Sequence, residues 1–132
     1  MSLFKYIDKN DIKAVKKLIA DGGYLNIKNK EGVTALIYAS TFDNIKIVKL
    51  LIASGANLNL KNEEGNTALI WVSIKNNIKM TKLLIESGAD LNIKNDDGKL
   101  AVNYYKNKKI FDPTYMKLKK REENLNKILK LI

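Results

Sequence analysis

The residues able to do chemistry are few. No histidine and no cysteine occur in the 132 residues. The usual general base, the imidazole metal ligand, the thiolate nucleophile and the disulfide are therefore all excluded. Carboxylates remain, notably the adjacent pairs Glu63-Glu64 and Asp96-Asp97. Glycosidase-type chemistry needs two carboxyls facing each other across a cleft, one of them desolvated. Neighbouring acids that precede Gly65 and Gly98 are instead expected on solvated turns. No loop has calcium-ligand length, and no glycine run forms a phosphate-binding motif. We expect no catalytic residue, no metal site and no cofactor. Two evenly spaced sets stand out: Tyr38, Trp71 and Tyr104, and Lys28, Lys61 and Lys94. Aromatic faces with acids nearby can hold a peptide or a cationic side chain, and a lysine stripe can meet phosphates. The plainer readings are packing between neighbouring elements for the rings and a solvated face for the lysines.

Charge is unevenly placed. The chain carries 24 Lys+Arg against 14 Asp+Glu, a formal net charge of +10. Residues 99–132 hold ten bases and three acids, whereas residues 1–98 hold fourteen and eleven. Arg121 is the only arginine. Arginine is favoured where a flat fork must grip phosphate or guanine, so a sequence-reading nucleic-acid site is disfavoured. Hydrophobic content is 45%, too high for a disordered tail. Uncharged runs such as 33–42 are too short to span a bilayer. The opening MSLFKYIDKN lacks an apolar signal core, so we expect neither secretion nor membrane insertion, and a cytoplasmic location.

The elements that must carry these residues repeat. Gly32, Gly65 and Gly98 are spaced by 33, as are Gly22, Gly55 and Gly88, and Leu18, Leu51 and Leu84. Residues 31–63 laid over 64–96 without a gap agree at 21 of 33 positions. Each unit is one supersecondary block that needs its neighbours to bury its apolar side. Thr34 and Thr67 are placed to cap a short helix. Asp43-Asn44 and Asn76-Asn77 suit the left-handed exit from it. A second helix follows with apolar residues at helical spacing, Ile45, Val48, Leu51 and Ile52. Gly55 or Gly88 ends it. An extended stretch then leads to a polar turn, Asn62-Glu63-Glu64-Gly65 or Asn95-Asp96-Asp97-Gly98.

This helix, turn, helix and projecting turn resembles the ankyrin repeat. The motif residues are Gly32-Val33-Thr34-Ala35-Leu36-Ile37-Tyr38-Ala39, with endings Gly55-Ala56-Asn57-Leu58-Asn59 and Gly88-Ala89-Asp90-Leu91-Asn92. The family's proline is replaced by Ala35, Ala68 and Ala101, and its histidine by Ile37, Ile70 and Asn103. The resemblance implies an all-α fold, an ankyrin-repeat solenoid of stacked helix-turn-helix units with short projecting β-turns. One domain spans 1–132: an N-terminal capping repeat at 2–30, repeats at 31–63 and 64–96, and a C-terminal capping repeat at 97–132. In that last unit a first helix is expected over about 100–108. The second-helix signature returns late, as Ile128-Leu129-Lys130-Leu131-Ile132, which implies an insertion near 109–123. Pro113 suits the first turn of a helix starting near Asp112. The insertion is thus either a loop before a short helix or part of a long one, about 114–132.

The resemblance further implies a non-catalytic protein–protein interaction module. Its contact positions lie around the turns and at the end of each first helix. Carried over by position, they are Lys30, Glu31, Val33, Tyr38 and Phe42 in one unit, and Glu63, Glu64, Asn66, Trp71, Ile74 and Lys75 in the next. Asp96, Asp97, Lys99 and Lys108 follow in the last. An unidentified protein partner is expected on the concave face, with Phe42 and Ile74 as apolar anchors and the chain acting as a monomer. Two alternatives stay open. One is non-specific binding of nucleic acid or an anionic surface by the basic C-terminal unit; the other is a structural or self-associating module.

Overall fold

The computed structural model describes residues 2–132. Three helix pairs stack in sequence: α1 (Leu3–Asp8) with α2 (Ile12–Ala20), α3 (Ala35–Thr41) with α4 (Ile45–Ala53), and α5 (Ala68–Ile74) with α6 (Ile78–Glu86). α1 lies against α3 and α3 against α5, while α2 lies against α4. Among the described residues the only β pairing is an isolated bridge between Lys28 and Thr34.

Local chemistry sets each pair. The Thr34 hydroxyl accepts the Ile37 N–H, and the Thr67 hydroxyl accepts the Ile70 N–H, each at 3.2 Å. These bonds satisfy amides that a helix start leaves without intrahelical partners. Between the helices the chain turns through a left-handed residue, Asn10, Asp43 or Asn76, at φ 51°, 56° and 55°. Asparagine and aspartate tolerate that region best among non-glycine residues. The second helices bury Ile47, Val48 and Leu51, or Met80, Thr81 and Leu84, each without exposed surface. Hydrophobic burial of this shared face is what holds the units together.

The projecting turns are tied by side-chain amides. Asn29, Asn62 and Asn95 each accept two backbone N–H groups of their own turn, such as Glu64 and Asn66 at 3.0 Å from Asn62. Two of the three lysines spaced by 33 have a structural use. Lys28 Nζ donates to the Lys61 carbonyl at 2.8 Å, and Lys61 Nζ to the Lys94 carbonyl at 3.4 Å. Asn26 and Asn59 likewise accept the Asn57 and Asp90 amides of the following unit. Side chains bound laterally in this way are not a free phosphate-binding stripe.

The C-terminal end departs from the expected repeat. The first helix expected over about 100–108 is reduced to one 3₁₀ turn, Ala101–Tyr104, and the chain is extended at Tyr105 (φ −112°, ψ 138°). Position 105 corresponds to Ala39 and Val72, small buried side chains. A tyrosine cannot take that place on an unbroken helix. The backbone swings out and the buried ring sets its hydroxyl 2.7 Å from Thr81 Oγ1. A second 3₁₀ turn, Lys109–Phe111, leads to α7 (Pro113–Leu131), capped by Asp112 through the Thr114 and Tyr115 amides. The segment near 109–123 therefore lies largely within one long helix. The signature at 128–132 does not behave as a buried second helix. α7 buries no residue, and Leu125, Ile128 and Leu129 are each more than half exposed. Only its first turns approach the stack, where Pro113 and Met116 share a shallow pocket with Ile85, Ala89 and Leu91.

Candidate functional site

Helices α3 and α5 each bury one side and present the other beside the projecting turns. On α3, Ala35, Leu36, Ile37, Ala39 and Ser40 face the interior. Ser40 and Ser73 spend their hydroxyls on the Leu36 and Leu69 carbonyls. That leaves Tyr38, Thr41 and Phe42 on the outer side of α3, and Trp71, Ile74 and Lys75 on that of α5. Between these helices and two turns runs an open groove of about 410 Å³. Glu31 and Val33 line it from one turn, Asn62, Glu63 and Glu64 from the next, and Tyr38, Phe42 and Trp71 from the helices.

The rings do not form one continuous stack. Tyr38 meets Phe4 and Phe42 edge-on, with centroids 5.5 and 4.9 Å away. Among the described residues no direct ring pair joins Tyr38, Trp71 and Tyr104. Instead Lys75 Nζ lies 4.9 Å from the Trp71 ring centre, and Lys99 Nζ 5.4 Å from that of Tyr104. The Tyr38 hydroxyl donates to the Asp8 carboxylate. That bond, then burial, then the charges of Asp8 and Glu31 raise the phenol above its ordinary pKa. The Trp71 indole Nε1 is buried without a hydrogen-bond partner.

The expected contact residues divide into three groups. Glu31, Val33, Tyr38, Phe42, Glu63, Glu64 and Trp71 share the groove. Lys30, Ile74, Lys75, Asp96, Asp97, Lys99 and Lys108 are exposed and lie outside its lining. Ile74 is exposed but does not line this groove with Phe42. It corresponds to Thr41 rather than Phe42, so the repeat register offsets the two. Lys108 sits past the shortened helix, not at its end. Asn66, expected at the surface, is buried. Its side-chain oxygen accepts Asn95 Nδ2 at 2.9 Å, which makes it part of the joint between turns. Phe4 and Asp8 lie outside the groove lining but hold Tyr38, through a ring contact and a hydrogen bond, and the sequence does not single them out. Nothing local marks them, because the capping unit matches the repeat too loosely to carry its register forward.

Among the described residues no group of three or more acidic side chains could hold a metal ion. None of their helices is long and apolar enough to cross a membrane. Stacked helix pairs with turns projecting beside a groove define an α-solenoid scaffold, a class that presents a face rather than a catalytic cleft. The family model for ankyrin repeats matches three copies over residues 3–95, and the chain belongs to the ankyrin repeat family. Among solved structures it is similar to the ankyrin repeat domain of Bcl-3, described as a unique member of the IkappaB protein family. That match has a TM-score of 0.78 and 25% identity over 83% of this chain. The chain spans about half the length of that domain, 49%. No curated protein matches it. Ankyrin repeats are in general protein–protein interaction modules on a non-catalytic scaffold.

Proposed function

We propose that this chain binds a protein partner through the groove between α3, α5 and the two central turns, as a monomer and without catalysis. One observation carries the reading: Phe42 is 57% exposed at the groove, on a helix whose other large apolar side chains are buried or packed. An apolar anchor ringed by charged residues is how interfaces concentrate energy. Phe42→Ala is expected to weaken partner binding by about 1–2 kcal/mol while leaving the melting temperature unchanged. Trp71→Ala is expected to lower both, since part of that ring is buried. Isothermal titration with a partner captured from the source organism, paired with thermal melts, makes the test. Normal binding by the Phe42 variant would remove the groove from consideration.

A second reading has its own observation. α7 carries six basic side chains against Glu122 and Glu123, and only Lys119 forms an ion pair there, with Glu122 at 3.3 Å. Such a helix suits loose contact with an anionic surface. Binding that falls steeply with salt and shows no sequence preference is the expected behaviour. Charge reversal at Lys117 and Lys120 would weaken it without touching groove binding.

A further inference from the structure

We infer that the partner segment is basic: the groove accepts a lysine or arginine side chain laid against Tyr38, Phe42 and Trp71, within reach of Glu31, Glu63 and Glu64. This rests on the groove reading above and adds the chemistry of what fills it.

Charge complementarity is the first argument. The chain as a whole is at +10, yet no lysine or arginine lines this groove, while three glutamates do. Among the described residues the one ion pair lies on α7, so none of the three is neutralised by a cation of the chain. The side-chain contact of Glu64 is with the Asn66 amide, at 3.4 Å. Carboxylates held without counter-charge on a strongly basic protein create a local field opposite to the global one.

The floor of the groove supplies the second argument. An aromatic face attracts a cation through its ring quadrupole, and tryptophan does so best. Lys75 already shows the geometry, with its ammonium 4.9 Å from the Trp71 ring centre and no carboxylate partner. An incoming cation would find both the ring and the acids.

Third, the neighbouring turn is tied to its ring. Asn95 Nδ2 donates to the Asn66 side-chain oxygen at 2.9 Å and to the Tyr104 hydroxyl at 2.8 Å, whereas Trp71 Nε1 makes no hydrogen bond to the Asn62 turn.

The test is a selection of binders from a random dodecapeptide library displayed on phage, at physiological salt. Trp71 is the only tryptophan, so its fluorescence reports occupancy of this groove directly. The expected result is binders enriched in arginine or lysine that perturb Trp71 and are weakened by Phe42→Ala. Replacing the peptide's basic residue by glutamine should weaken binding about tenfold. Glu63→Gln with Glu64→Gln should cost a similar factor with the melting temperature unchanged. General attraction to a protein at +10 would select acidic peptides, so it cannot imitate this outcome. Neutral or acidic binders that perturb Trp71 and need Phe42 would overturn the basic-segment inference and leave the groove reading standing. Binders that leave Trp71 unperturbed and ignore Phe42→Ala would overturn both.

Discussion

Units 31–63 and 64–96 share 21 of 33 residues, yet they present different outer faces. Many of the shared residues have a neighbour to satisfy. They include the capping threonines, the buried Leu36 and Leu69, the core Leu51 and Leu84, and Asn62 and Asn95, which organise the turns. On the outer faces the units differ at Tyr38 against Trp71, Thr41 against Ile74 and Phe42 against Lys75, while the core is repacked at Ala39 against Val72, Ile47 against Met80 and Val48 against Thr81. At the turn Val33 stands against Asn66, which is buried because the third turn closes over it. In one unit an exposed phenylalanine lies against a tyrosine; in the next a lysine lies over a tryptophan. The two units thus keep their caps and turn ties and differ on the outer face of the first helix.

That comparison can be broken most forcefully in the core. Leu51→Ala and Leu84→Ala should each cost about 2–5 kcal/mol in urea unfolding, and by similar amounts. A loss below about 0.5 kcal/mol at either site, the range of surface changes, would mean that the two units do not bury the same face.

The turn glycines sharpen it next. Gly32 and Gly65 both have positive φ, 73° and 75°. A Cβ at Gly65 would stand 2.9 Å from the Asp96 backbone nitrogen, whereas at Gly32 it meets only the flexible Glu63 side chain. Gly65→Ala should therefore cost about 2–3 kcal/mol and Gly32→Ala about 1 kcal/mol, within the usual range for backbone strain. Equal thermal shifts would show that the two turns are joined to their neighbours alike.

The smallest expected effect lies at Tyr38. The bond to Asp8 favours the neutral phenol, so its folded pKa stands above the ordinary 10.0. The stabilisation is fully present below about pH 10 and is lost as pH rises through the folded value. Tyr38→Phe should flatten this alkaline loss in melts taken from pH 8 to 11. An unchanged profile would mean that Asp8 does not hold the Tyr38 hydroxyl.

Much of the fold was legible in residues with local tasks. Thr34, Asp43 and Gly55 name a helix start, a left-handed exit and a helix end, and repetition at 33 says that the block stacks. Pro113 and Asp112 announced the start of α7 equally plainly. Less was legible at the groove. Tyr38, Phe42 and Trp71 were identifiable by register, but the offset of Ile74, the burial of Asn66 and the arrival of Asp8 depend on how adjacent units meet. The last unit misled for a similar reason. Leu100 to Lys108 resembles a first helix in apolar pattern, and only the size of Tyr105 at a small-residue position turns it away.

The sequence by itself determined the period, the caps, the buried leucines and the lack of imidazole or thiol chemistry. Each of these depends on one residue's own backbone preference or functional group. The tertiary structure alone decided which carboxylates lack counter-charge, which lysines are bound to the carbonyls of the next unit, and which aromatic faces remain open. It also left the apolar side of α7 uncovered. These depend on distances between residues about thirty apart in the chain, which stacking sets and no local pattern encodes.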